Sequence, residues 1–267
     1  MNILEKIVEK KKADLAVLKE RSTIKGLEAS PFFSTPVVSL RKYLLRPDKT
    51  GIIAEFKRHS PSKGALNPYA SIEKVTIGYM QAGASALSIL TEGPFFQGKN
   101  SDLTEARQLN FCPILRKDFI IDEWQVLETK SIGADAMLLI ATILKPEETM
   151  NLAKLGKELG LEILLEVHDQ EELDLHFNEY INVVGVNNRN LKTFETNINH
   201  SLDLADFIPS SVVKISESGL DSAVQLATLY DAGFRGFLMG EKFMRSSHPE
   251  VAAATFMKEW MTVKSGL

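Results

Sequence analysis

Residues 51–64 read Gly51-Ile52-Ile53-Ala54-Glu55-Phe56-Lys57-Arg58-His59-Ser60-Pro61-Ser62-Lys63-Gly64. The stretch opens as a short, uniformly apolar run, the pattern of a strand buried on both faces. At its far end a carboxylate and an ammonium, Glu55 and Lys57, occupy alternate positions, and period-two geometry sends both to one face. A loop carrying Ser, Pro and Gly follows at once. Two opposite charges at the C-terminal mouth of a buried strand are costly unless they are paired or used. By itself the stretch fits a structural ion pair as well as a functional one. What decides between them is that similar stretches recur down the chain.

From Gly51 onward, short apolar runs at 52–56, 86–90, 113–116, 136–140, 162–167, 183–186, 212–215 and 236–239 alternate with longer segments of helical apolar spacing. Those segments are 72–81, 102–109, 123–132, 146–159, 170–177, 201–207 and 221–231, with 249–261 as the last. Ser71, Ser101, Asp122 and Asp169 read as N-caps and Pro146 as a first-turn residue, while Gly83, Gly133, Gly160 and Gly233 close helices. Eight strand–helix units are the number that closes a parallel barrel. The rival, an open doubly wound sheet, is weakened because no G-x-G-x-x-G follows any strand. The expected fold is α/β: one (β/α)8 TIM barrel over 51–267. An N-terminal helical extension at 1–47 belongs to the same single domain. Within the extension, Ile3, Ile7, Leu15 and Leu18 mark an amphipathic helix over 2–21 and a second short helix is expected near 38–45. The extension is expected to cover one end of the core.

The chain's 267 residues suit a barrel of this kind, and 44% hydrophobic with 25% charged residues is ordinary for a globular protein with a sizeable core. A net charge of -4 argues against nucleic-acid binding but leaves an anionic small substrate open, because local potential in a cleft outweighs the net charge. A lone cysteine, Cys112, excludes an internal disulfide framework and fits a reducing compartment. There is no apolar run that spans a bilayer, and the N-terminus lacks a signal-peptide core, so the chain reads as cytoplasmic. Cys112, beside Phe111 ahead of the third run, reads as a packed small hydrophobe. His59, His168, His176, His200 and His248 show no metal-ligand spacing, and no nucleotide-binding loop of the Walker type occurs, so no metal or cofactor is expected. Lys10-Lys11-Lys12 reads as a solvated helix face.

In a barrel, chemistry gathers at the C-terminal ends of the strands. Those ends here carry Glu55 and Lys57, the loop Thr91-Glu92-Gly93-Pro94-Phe95-Phe96-Gln97-Gly98, then Arg116-Lys117-Asp118-Phe119 and Glu166. Asn187-Asn188-Arg189-Asn190, Ser216-Glu217-Ser218-Gly219 and Met239-Gly240-Glu241-Lys242 follow. Any one of these residues fits a solvated loop, but their convergence on one mouth by chance is improbable. Two lysines and two glutamates in one low-dielectric cavity shift one another's pKa values, which is how acid and base roles are assigned. Ser218-Gly219 and Gly240 stand after the last two strands, where many barrels cradle a phosphate on backbone N–H groups.

With these residues in hand, the chain resembles indole-3-glycerol-phosphate synthase. The resemblance runs through Ile-Ala-Glu-Phe-Lys-Arg-His-Ser-Pro-Ser-Lys-Gly (53–64), Ser-Ile-Leu-Thr-Glu (88–92) and Leu-Arg-Lys-Asp-Phe-Ile-Ile-Asp (115–122). It continues through Leu-Glu-Val-His (165–168), Val-Asn-Asn-Arg-Asn-Leu (186–191), Ser-Glu-Ser-Gly (216–219) and Met-Gly-Glu (239–241), and includes the helix ahead of strand one. It implies conversion of 1-(2-carboxyphenylamino)-1-deoxyribulose 5-phosphate to indole-3-glycerol phosphate with loss of CO2 and water, in tryptophan biosynthesis. The partner it implies is that small phosphosugar–anthranilate substrate.

By the same resemblance, Lys117 matches the acid that protonates the substrate carbonyl. Lys57 matches a lysine that holds substrate and helps the later dehydration, Glu166 the general base, and Glu55 a carboxylate that tunes the lysines. Asn187 and Arg189 match polar residues lining the substrate. Ser218, Gly219, Gly240 and Glu241 match the phosphate-cradling region. Phe96, Phe119 and Pro61 are expected to flank the anthranilate ring, and Ser60 matches the serine of the first loop. Asn190 and His200 stand where many relatives carry Asp and Arg, and Glu241 where some carry Ser. A phosphoribosylanthranilate isomerase would present a Cys base at the end of strand one, where Glu55 and Lys57 stand. A catalytically silent sugar-phosphate sensor would be expected to have lost its acid–base groups.

Overall fold

Eight parallel strands close on themselves in sequence order, each hydrogen-bonded to the next and the last back to the first. The computed structural model describes residues 3–190 and 195–267. The strands are β1 Ile52–Phe56, β2 Ala86–Leu90, β3 Ile114–Lys117, β4 Ala136–Ile140, β5 Glu162–Val167, β6 Val183–Asn187, β7 Val213–Glu217 and β8 Gly236–Met239. Closure is carried by Ile52↔Phe237 on one edge of β1 and Ile53↔Ala86 on the other. A short antiparallel hairpin, His59–Ser60 with Gly64–Ala65, stands in the loop after β1.

Alternation along the strands builds two apolar layers. Ile53, Leu115, Leu138, Leu164, Val183 and Ile215 fill the barrel interior. Ile52, Ala54, Phe56, Leu87, Ile89 and Leu139 pack outward against the helices. The expected runs at 113–116, 183–186 and 212–215 end one or two residues early. The ladders carry on through Leu90↔Lys117 and Asn187↔Glu217, so polar residues at the mouth are strand residues, rigidly placed.

The helices are α1 Ile3–Arg21, α2 Ile24–Glu28, α3 Leu40–Leu44, α4 Ile72–Gln81, α5 Asn100–Leu109 and α6 Glu123–Ser131. They continue with α7 Pro146–Glu158, α8 Gln170–His176, α9 Asn199–Leu204, α10 Ala223–Asp231, α11 Glu241–Met244 and α12 Pro249–Lys264. Ser71, Asp122 and Asp169 accept the N–H groups of Lys74, Trp124 and Glu172 as caps. Ser101 is not a cap. The helix starts after Lys99, because the Asn100 amide is fixed by Glu128 and Arg116, a tertiary contact with no local signature. The four helix-closing glycines adopt φ between 80° and 98°.

The N-terminal extension covers both ends of the barrel rather than one. Leu40 and Leu44 of α3 join the interior layer at the foot, where Ser39 Oγ and the Arg41 N–H bind the Glu162 carboxylate at the start of β5. Ile3, Leu4 and Ile7 of α1 stand at the opposite mouth. Asn2, the expected first helical residue, and Leu191, the last residue of the quoted 186–191 stretch, lie outside the described residues. Among the described residues, no helix is long and apolar enough to cross a membrane.

Candidate functional site

The strand ends and α1 enclose a cavity of about 670 Å³ at the C-terminal mouth. Period-two placement puts Ile53 inside the barrel and Glu55 and Lys57 on the same side above it. Lys57 Nζ donates to Glu55 Oε1 at 2.6 Å, and Ser88 Oγ reaches Glu55 Oε2 at 3.4 Å. Across the mouth, Lys117 Nζ donates to Glu166 Oε2 at 2.9 Å and to Glu217 Oε2 at 2.5 Å. Asn187 Nδ2 fixes the other Glu166 oxygen at 2.9 Å, and Asn187 Oδ1 accepts the Arg189 N–H at 3.0 Å.

Lys117, Glu166 and Glu217 are largely enclosed, so their charges are set by one another. Burial opposes the Lys117 charge, but Glu166, Glu217 and Glu55 outweigh it and hold the ammonium well above the usual lysine range. Glu166 is pushed up by burial and pulled further down by Lys117, His168 and Asn187, so it is held ionised. Glu217 is the opposite case. Burial and the neighbouring Glu166 and Glu55 outweigh Lys117 and raise its carboxyl to about 7. One ammonium thus lies between a firmly ionised carboxylate and one that titrates near neutrality. That is the separation of protonation states that acid–base chemistry requires.

The two sides of the cavity differ in chemistry. On one side Phe96 and Phe119 face each other, ring centroids 6.0 Å apart at 38°, next to Leu138, Ile140 and the α1 residues. This wall suits a flat aromatic group. On the other side stand the loops after β7 and β8, with Ser218, Gly219, Gly240 and Glu241, while Ser60 and Pro61 line the cavity from the hairpin after β1, whose His59 Nδ1 meets the Phe95 carbonyl at 2.8 Å. Ser218 and Gly219 both adopt φ of 72°, an uncommon conformation for a serine, and Asn188 Nδ2 holds the Ser218 carbonyl at 3.1 Å. The Glu241 carboxylate lies 2.6 Å from Arg245 and 3.5 Å from Arg189, so it gathers cations at this end. Ser60 Oγ is buried without a hydrogen-bond partner among the described residues.

Every residue that the resemblance assigned a role therefore lines this one cavity, whereas Thr91, Glu92, Arg116 and Asn188 from the same strand ends do not. Two glycine readings gain a different cause. A Cβ at Gly240 would stand 2.8 Å from Glu55 Cβ, and one at Gly219 2.5 Å from Thr196 Cβ. Both positions need glycine for side chains already there, whatever ligand binds. Lys11 corrects the solvated reading of Lys10-Lys11-Lys12. Its side chain is 12% exposed and its Nζ is 2.7 Å from Asp118 Oδ1, whereas Lys10 and Lys12 are exposed.

Sequence reasoning passed over Glu217, whose stretch was quoted for its serine and glycine. Its alternation with Val213 and Ile215 already pointed it inward, and Gly185 inside β6 was a second signal. A Cβ there would collide with the Glu217 carboxylate, and a glycine within a strand marks such a close approach. His168, two residues beyond Glu166, also lies on the wall. Its Nδ1 faces Glu172 Oε2 at 3.3 Å, and burial notwithstanding, Glu172 and Glu166 raise its pKa.

Known proteins match this chain over most of its length. The family model of indole-3-glycerol phosphate synthase matches residues 4–256. The indole-3-glycerol phosphate synthase of Bacteroides thetaiotaomicron is 45% identical over 257 residues, 96% of this chain and 98% of that protein. Those of Burkholderia vietnamiensis and Bacillus licheniformis are 38% and 39% identical, covering 95% and 92% of this chain and 98% and 94% of theirs. The solved structure of 3-hexulose-6-phosphate synthase from Salmonella typhimurium, at 11% identity and a TM-score of 0.61, shares the fold over 79% of this chain and 98% of its own. With a family match over residues 4–256 and near-full-length relatives well above 30% identity, the chain belongs to the indole-3-glycerol phosphate synthase family.

Proposed function

We propose that the protein is a carboxy-lyase that closes an indole ring. It takes 1-(2-carboxyphenylamino)-1-deoxyribulose 5-phosphate to indole-3-glycerol phosphate, CO2 and water. The single observation that carries this reading is the Lys117 ammonium held between Glu166 and Glu217, in a cavity with an aromatic wall on one side and a cation-rich, glycine-lined wall on the other.

The substrate's carboxyphenyl ring lies against Phe96 and Phe119, with Pro61 at its edge. Its phosphate lies toward Ser218, Gly219 and Gly240, where Arg189 and Arg245 are gathered by Glu241. The ketone carbon then falls between, beside Lys117. The ring carbon that bears the carboxylate bonds to the ketone carbon, and the carbonyl oxygen takes a proton from Lys117 Nζ. The bond to the carboxylate breaks, CO2 leaves, and its electron pair restores the aromatic ring. In the second half, the new hydroxyl leaves as water with a proton from a lysine, and Lys57 is placed for this by Glu55. Glu166 removes the proton from the adjacent carbon as the double bond forms. Asn187 keeps Glu166 oriented and Ser60 offers an unused hydroxyl to the substrate.

The test is direct. Purified protein mixed with the carboxyphenylamino-deoxyribulose phosphate, without added metal or nucleotide, develops indole fluorescence with one CO2 released per indole formed. Fluorescence that never appears, with the substrate unchanged, overturns the reading.

A further inference from the structure

The N-terminal helix reaches the site through one charge. Ile3, Ile7, Lys11 and Leu15 recur every four residues of α1 and share one face. Ile3 and Ile7 stand on the cavity wall and Leu15 packs with Leu27 and Trp124, so Lys11 points inward between apolar anchors. Its partner Asp118 is 1% exposed at the side chain and fully used. Asp118 Oδ1 also accepts the Phe119 N–H at 2.7 Å, and Oδ2 accepts Thr91 Oγ1 at 2.6 Å and Arg116 Nη2 at 3.3 Å. Arg116 is shared with Glu128 at 2.5 Å, so it does not answer Asp118 alone.

Glu92, past the end of the neighbouring strand β2, repeats the device. Its Oε2 accepts the N–H groups of Phe95 and Phe96 at 2.8 and 2.9 Å. Burial pushes the Glu92 carboxyl up, while those N–H groups and then the Lys11 charge pull it down. Two buried carboxylates thus each hold the backbone of one aromatic residue of the Phe96–Phe119 wall, and one lysine serves both.

We infer that Lys11 is a positioning residue for the reaction, a counter-charge by which the N-terminal helix keeps Asp118 and Glu92, and through them the Phe96–Phe119 pair, set for the substrate's carboxyphenyl ring. The identity of that ring rests on the proposed function. An exposed ion pair would be worth little, but removing one partner of an enclosed pair leaves a buried carboxylate uncompensated. The aromatic residues it anchors then lose their fixed backbone.

A second cavity of about 390 Å³, lined by Lys11, Asp118 and Arg116, opens beside the pair and gives a small cation access to it. In Lys11→Ala, KM for the substrate rises about tenfold while kcat stays within about threefold, and inhibition by inorganic phosphate, which takes the far side, does not change. Propylammonium brings KM back in Lys11→Ala, and Lys11→Arg keeps it near wild type. Leu15→Ala, on the same face but packed on Leu27 and Trp124 and carrying no charge toward Asp118, lowers Tm without moving KM. A KM that stays put in Lys11→Ala, or a rise that Leu15→Ala reproduces and propylammonium leaves untouched, overturns the inference. Anthranilate binding, followed by its own fluorescence, repeats the comparison without turnover, so failure of the reaction and failure of the aromatic wall are told apart.

Discussion

At the centre of the mouth one ammonium answers two carboxylates, and Lys117 owes its charge more to Glu166 and Glu217 than to Glu55, which has its own lysine. Losing Glu217 therefore lowers the Lys117 pKa more than losing Glu55 does. An acid that gives up its proton at lower pH stops working at lower pH. The alkaline limb of the kcat profile accordingly moves down in Glu217→Gln, and less in Glu55→Gln. Equal shifts, or none, would mean that the two carboxylates do not tune this lysine.

Glu217 also has a stability signature. Its folded pKa, about 7, lies above the ordinary 4.5. A group raised on folding favours the fold only while protonated, so its contribution is lost as pH rises from about 4.5 through 7. Glu217→Gln has no such loss. Its Tm gains on wild type between pH 5 and 8 and then levels, even as kcat falls, the exchange expected of a site strained for function. A Tm difference that is flat across that range would contradict the raised carboxyl.

At the scale of strands and helices, Gly185 is the clearest test of how backbone sets chemistry. Gly185→Ala places a methyl against the Glu217 carboxylate, and more lightly against Leu164 on β5. The expected outcome is a fall in kcat of about 10-fold or more with a smaller change in KM, because the displaced group holds the ammonium of Lys117, the acid of the proposed mechanism. Wild-type kcat in a folded Gly185→Ala would show that Glu217 is a bystander. Much of this level was legible in advance. Buried runs bounded by caps and glycines marked the strands, and alternation aimed Glu55 and Lys57 together. What escaped was non-local. The start of α5 depends on Asn100 meeting Arg116 and Glu128, and Lys11 is buried by a carboxylate more than a hundred residues away. Nothing in the flanking residues announces either contact.

Across the whole molecule, the barrel supplies rigid strand ends and the extension finishes both openings, α3 below and α1 above. This division explains why motif residues scattered from Glu55 to Glu241 were legible as one site while the wall contributed by Ile3, Leu4 and Ile7 was not. Strand ends converge by the geometry of any closed barrel, whereas the landing place of an N-terminal helix follows from side-chain fit alone. In the proposed mechanism, ring closure depends on the proton that Lys117 donates. The measurement is single-turnover indole formation by Lys117→Met beside substrate affinity for the same protein. The expected result is a rate reduced by at least about 10²-fold, the scale of general-acid catalysis, with affinity changed far less. A Lys117→Met variant that forms indole at the wild-type rate would contradict it.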